Sequence, residues 1–189
     1  LHAAWSNSRQ FRGAGERGLR QQAWNHISAL HAPLASPAVL DGQWSVFDYV
    51  RGYHPLRAGC GVMDGFRLPK FSYYFYRSQR HPSEGGAGWS GGPVVFIASH
   101  WTARSHLRIL VFSNCDEVEL TYGNHPPKRV GPDGEAVPHL PDTPVVIDRR
   151  HFTEEELGLW GMVWLDVKLV GSLTGKPAKE IPYVADPVA

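Results

Sequence analysis

Apolar residues in the first third of the chain recur at helical spacing. From residue 14 onward, Leu19, Ala23, Ile27 and Leu30 lie three or four apart with Trp24 beside them, which makes one face of a helix. Gly18 weakens that helix by about 1 kcal/mol relative to alanine without breaking the pattern. Pro33 and Pro37 are expected to close it. The period then changes. Residues 44–49 (WSVFDY) partly alternate apolar with polar positions and are dense in aromatics, which predicts a buried strand between Gly42 and Gly52. A loop rich in glycine, arginine and histidine follows. Pro69 stands where a first helical turn has no use for its N–H. Beyond it Phe71, Tyr73, Tyr74, Phe75 and Tyr76 crowd every side, as expected of a helix wedged between two bodies. Strand, functional loop and covering helix form one β/α unit of an α/β architecture.

A different pattern holds further on. Residues 81–92 (HPSEGGAGWSGG) are glycine-rich and read as a linker. After them come short strand-like runs at 94–99, 107–113, 117–122, 144–147 and 162–169, with turn residues at 124–127, 131–134 and 171. Short strands separated by turns predict an antiparallel sandwich of immunoglobulin type. Residues 148–160 depart from this, because Thr153 before three glutamates is an N-cap with an acidic first turn. Residues 1–13 read as a polar loop, and the proline-rich stretch 177–189 is expected to fray.

Composition narrows the possible functions. With 189 residues, 42% of them hydrophobic and 12% aromatic, the chain is globular and fits one ordinary domain or two small ones. A net charge of +1 supplies no basic excess, so neither nucleic acid nor an anionic membrane is an expected partner. No apolar run approaches the roughly 20 residues that span a bilayer. The opening LHAAWSNSRQ has no signal-peptide pattern and no initiator Met, as expected of a piece of a longer protein. Cys60 and Cys115 make neither a disulfide framework nor a metal spacing. The ten histidines are dispersed without an HxH or HxxxH pair beside a carboxylate, and there is no G-x-S-x-G elbow. No metal or other cofactor is expected.

Four stretches, WSVFDYVRGY, GVMDGFRLPKFSYYFYRSQR, GPVVFIASHWT and LRILVFSNCDEVEL, carry a resemblance. They look like glycoside hydrolase family 2, the β-galactosidase-like enzymes, at the end of the catalytic (β/α)8 barrel and the start of the β-sandwich that follows. The resemblance covers most of residues 5–122 and thins past Tyr122. It implies an α+β fragment: residues 1–80 as the C-terminal part of the barrel, 81–92 as a linker and 93–189 as an immunoglobulin-like β-sandwich. The first helix would be the barrel's seventh, and residues 39–49 would hold its eighth strand. Barrel active sites lie at the C-terminal ends of the strands, here residues 47–51.

The resemblance also implies a retaining enzyme that hydrolyses O-glycosyl bonds. In that family the acid/base and nucleophile glutamates lie upstream of such a segment, so this chain is expected to hold no catalytic residue. Its expected partners are a carbohydrate substrate and the remainder of the same polypeptide. Taken alone, it is expected to leave Leu19, Trp24, Ile27 and 71–76 exposed and to associate through them.

Within residues 44–51 the candidate substrate-binding residues are Trp44, Asp48, Tyr49 and Arg51. Sugars have an apolar C–H face that a rigid indole matches, and the resemblance puts Trp44 at the barrel mouth; the alternative is a Trp in the barrel core. Asp48 either accepts sugar hydroxyls or orients a neighbouring side chain there, or else caps the next turn or pairs with Arg51 or Arg57. Tyr49 and Arg51, with Tyr53 and His54, either line a sugar cleft or close the mouth sterically. Asp64 and Arg67 read as structural, Lys70 as a rim residue, His100 and Trp101 as packing between sandwich and barrel, and Asn114 and Asp116 as turn formers. A non-catalytic carbohydrate-binding or structural β-sandwich module is the competing expectation for the whole chain.

Overall fold

The computed structural model describes residues 10–39, 42–83, 92–133 and 136–170, together with the backbone of 172–173, 176–177 and 183–184. It divides into two compact units, residues up to 76 with 137–140, and residues from 77 onward without that insert.

In the first unit, helix α1 (Gly15–Leu34) buries Leu19, Ala23 and Ile27 as its periodicity requires, and it adds Gln22 and His26 to the buried stripe. Pro33 lies inside its last turn and does not end it; the stop comes at Ala35, whose amide donates to His31 O, while the Ser36 amide donates to Pro33 O. Helix α2 (Phe71–Ser78) buries Phe71, Ser72, Phe75 and Ser78 and leaves its tyrosines half-buried. Pro69 sits two residues ahead of α2, in a bridge to Met63, so it leads into the helix without forming its first turn.

The two helices meet through polar pairs. Ser72 Oγ donates to Gln22 Oε1 at 3.5 Å, and the His26 and Tyr76 rings stand edge-on with centroids 5.6 Å apart. Leu19, Ile27, Phe71 and Phe75 are therefore buried within the chain, contrary to the expectation that these faces stand open. Exposed apolar side chains are densest instead between residues 46 and 66, among them Val46, Val50, Tyr53, Leu56 and Phe66.

The expected strand at 39–49 is reduced to isolated bridges, Phe47 with Met63 and Tyr49 with Ala58; Val39 is fully exposed and residues 40–41 lie outside the described residues. A barrel strand takes its regularity from hydrogen bonds on both edges. Here the pairing comes from the chain's own loop at 58–63.

The second unit consists of antiparallel strands. One sheet has the order β1 (Val95–Ile97), β2 (Ile109–Ser113), β5 (Val145–Ile147). The other has the order β4 (Lys128–Val130), β3 (Glu117–Tyr122), β6 (Leu165–Val170), β9 (Tyr183–Val184). A short pair, β7 (Ser172–Leu173) with β8 (Lys176–Pro177), stands apart. Strand β3 alternates strictly, with Val118, Leu120 and Tyr122 facing in. These residues join Ile97, Ile109, Val111, Val145, Ile147, Leu165 and Val167 in a single core, so the two sheets bury their inner faces against each other.

Four aromatic rings, those of Trp101, Tyr122, Phe152 and Trp160, cluster in that core. Trp101 lies edge-on to both Tyr122 and Trp160, and its indole N–H donates to Val163 O at 2.6 Å. Trp101 is thus spent inside this unit, and the expectation that it packs between the two bodies is corrected. Asn114 does more than form a turn: it accepts from Val94 N and donates to the carbonyls of Arg80 and Gly92, tying the two sides of the linker to the end of β2. Residues 84–91 of that linker lie outside the described residues.

Thr153 caps helix α3 (Glu154–Gly158) through a capping box with Glu156. Burial pushes the Glu156 carboxyl up, but the Lys128 ammonium at 2.7 Å outweighs it and holds the group below the usual carboxylate range. Strand β4 was hidden in the pattern because Lys-Arg-Val has one apolar residue. Part of the stretch expected to fray, Tyr183–Val184, pairs with β6.

Candidate functional site

The segment 42–50 is held by a loop that folds back on it. Ala58 exchanges both backbone hydrogen bonds with Tyr49, Val62 N donates to Ser45 O, Met63 N donates to Val46 O, and Asp48 N donates to Met63 O. Two glycines let the loop come this close. A Cβ on Gly61 would sit 2.3 Å from Asp48 N and from Phe47 C, and one on Gly59 would meet the Phe11 ring at 3.2 Å. Their carbonyls both accept from Gln22 Nε2 of α1, so the helix fixes the loop.

Beneath this loop lies a buried ion pair. Lys70 is 1% exposed, and its Nζ donates to Asp48 Oδ1 at 2.7 Å, to Gln10 O at 2.7 Å and to Gly59 O at 3.2 Å. Asp48 Oδ1 also accepts from Gly61 N at 2.9 Å. Burial pushes the Lys70 ammonium down from its ordinary value, and the Asp48 carboxylate beside it resists that shift. Lys70 is therefore not at a rim, and Asp48 pairs with it and not with Arg51 or Arg57.

The other candidates face outward. Trp44 is 51% exposed, and its Nε1 donates to Tyr49 OH at 3.2 Å with the two rings edge-to-face at 6.3 Å. The phenol oxygen accepts that bond, which leaves its own proton available to a ligand. Arg51 is half-buried, and its side chain makes no hydrogen bond or ion pair among the described residues. Asp64 organises the turn that follows, accepting from Phe66 N and Leu68 N at 2.9 Å each and pairing with Arg12 at 3.3 Å. Arg67 adopts φ 66° in that turn, with its guanidinium 5.5 Å from the centre of the Phe47 ring.

Of the four sequence candidates, the structure brings Trp44 and Tyr49 together on an exposed face and turns Asp48 into the interior. Residues missed from sequence, namely Gln22, Gly61 and Lys70, act at long range; only the two glycines framing Cys60 signalled a close backbone approach. Among the described residues no group of three or more His, Cys, Asp or Glu is arranged to hold a metal ion, and no helix is long and apolar enough to cross a membrane. The arrangement offers a flat apolar ring, a phenol donor and a free guanidinium. It does not offer two free carboxylates, because Asp48 is neutralised by Lys70.

No protein-family model matches the chain. A β-galactosidase of Rhizobium meliloti is 40% identical over 176 residues, 86% of this chain and 22% of that protein. A β-galactosidase of Thermoanaerobacterium thermosulfurigenes is 33% identical over 156 residues, 77% of this chain and 21% of that protein. The chain thus spans about a fifth of the length of these curated relatives. Among solved structures, the apo form of Bacteroides uniformis beta-glucuronidase 3 superposes with a TM-score of 0.52 at 22% identity, over 86% of this chain and 20% of that one. At that identity the superposition shows the fold alone.

Proposed function

We propose that this chain is one segment of a retaining glycoside hydrolase, β-galactosidase-like, whose Trp44 floors a sugar-binding site. The observation that carries the reading is the exposed Trp44–Tyr49 pair at the end of a segment related to β-galactosidases. Residues 1–80 then close the (β/α)8 barrel, 81–92 link, and 93–189 form the immunoglobulin-like domain. The sheet orders β1-β2-β5 and β4-β3-β6-β9 support that last assignment, because they set three strands against four, the seven of an immunoglobulin sandwich, with β4 on the edge of the second sheet.

Retaining hydrolysis uses two carboxyl groups about 5–5.5 Å apart. Asp48, locked to Lys70, is neither of them, so both glutamates come from the preceding part of the polypeptide. In this account Trp44 stacks on the apolar face of the sugar, Tyr49 donates from its phenol, and Arg51 reaches sugar hydroxyls. Asp48 binds no sugar directly; it sets the backbone that carries Tyr49.

Replacing Trp44 by alanine in the intact polypeptide tests the site. A stacked aromatic is worth about 0.5–1.5 kcal/mol beyond area burial, and burying the ring adds to that. kcat/KM should therefore fall at least about tenfold, one decade being about 1.4 kcal/mol. Trp44→Phe should recover part of the loss. Because the indole is half exposed, stability should shift by less than about 0.5 kcal/mol. A large drop in Tm with unchanged kcat/KM would return Trp44 to a packing role.

A further inference from the structure

Segment 137–140 belongs to the first unit, where it brings His139 against the last turn of α1. The His31 and His139 rings lie there with centroids 5.2 Å apart and planes tilted by 34°. The segment is anchored on both sides of His139: Val137 and Leu140 are buried, and the Leu140 amide donates to Val137 O at 3.3 Å. His139 itself is exposed, so its ring can turn while the backbone stays in place. His31 is half-buried, and its Nε2 is covered and has no hydrogen-bond partner among the described residues. A buried polar nitrogen left without a partner is costly, and a metal ion is a partner that takes up the lone pair of a neutral imidazole.

We propose that His31 and His139 form a two-imidazole site for a divalent metal ion of the zinc class, which clips segment 137–140 to the end of α1. Imidazole nitrogen binds zinc at about 2.0–2.1 Å, so two rings at a tetrahedral angle around one ion have their centres about 5 Å apart, which is the spacing of this pair. His31 stands in the last turn of α1, where the free carbonyl ends of the helix favour positive charge. Two protein ligands leave the remaining positions to water. Imidazole suits zinc, nickel and copper, whereas magnesium takes oxygen ligands. The two histidines are far apart in sequence, so no local spacing reveals the pair. The site is separate from the face that carries Trp44 and does not depend on the reading of that face.

The full chain, with its histidine rings labelled for NMR, is titrated with zinc chloride and separately with magnesium chloride. Zinc should move the His31 and His139 ring signals together with one midpoint, and it should bind at least about tenfold more tightly than magnesium. His31→Gln and His139→Gln should each weaken zinc binding by about tenfold or more. The double variant should lose little beyond either single one, because the two ligands act as one chelate. Zinc should also raise the Tm of the chain, and His139→Gln, a change at an exposed side chain, should remove that rise while leaving the circular dichroism spectrum as it was. Zinc affinity unchanged in His139→Gln, strictly additive losses in the double variant, or a response of other histidine rings in place of these two would overturn the proposal.

Discussion

Gly61→Ala is expected to lower the stability of the first unit by about 3 kcal/mol or more, the upper range of overpacking effects. The added Cβ meets backbone atoms, Asp48 N and Phe47 C at 2.3 Å and Met63 O at 2.5 Å, and backbone cannot rotate away as a side chain tip can. For a unit of this size that is a Tm shift of about 10 °C or more. Gly65→Ala is the internal control, since its Cβ would meet only Asp48 O at 3.8 Å. Calorimetry on both variants checks this, and a Gly61→Ala melting curve matching that of Gly65→Ala would show that the loop is not pinned as described.

The second large effect concerns Lys70. Lys70→Met keeps the volume but strands the Asp48 carboxylate, which is 9% exposed, and removes the donor from the carbonyls of Gln10 and Gly59. Breaking a buried ion pair in this way costs about 3–5 kcal/mol, whereas removing both charges costs far less. The double variant Lys70→Met with Asp48→Asn should therefore be more stable than Lys70→Met alone, a coupling that denaturant unfolding of the four-member cycle reads directly. Strictly additive losses would mean that the two groups do not act as a pair.

Both effects arise where sequence reading reached least far. The buried stripe of α1 was legible because Leu19, Ala23 and Ile27 repeat locally, as was β3 because Val118, Leu120 and Tyr122 alternate. The N-cap at Thr153 was legible because three glutamates follow it directly, while the reciprocal bond from Glu156 came from the structure. Lys70 was placed at a rim because nothing within a few residues reveals that Asp48, 22 positions earlier, waits for it in the interior. The strand at 44–49 follows from a period that presumes regular pairing along its edges, and among the described residues its pairing is limited to isolated bridges with 58–63. Strand β4 carries a single apolar residue, and its pairing to β3 comes from register, with Val130 opposite Val118. The candidate site divides in the same way: the aromatic face of Trp44 and Tyr49 follows from residue type, while the fate of Asp48 follows from tertiary placement.

The most direct test of the account is turnover of an aryl β-galactoside by two proteins, this chain alone and the same chain preceded by its own upstream coding sequence. The longer protein should hydrolyse the substrate, lose at least about tenfold in kcat/KM on Trp44→Ala, and release the sugar with retained configuration. The chain alone should show no turnover above the blank. Equal turnover by the chain alone would contradict the account, because it would put the two catalytic carboxylates within these 189 residues.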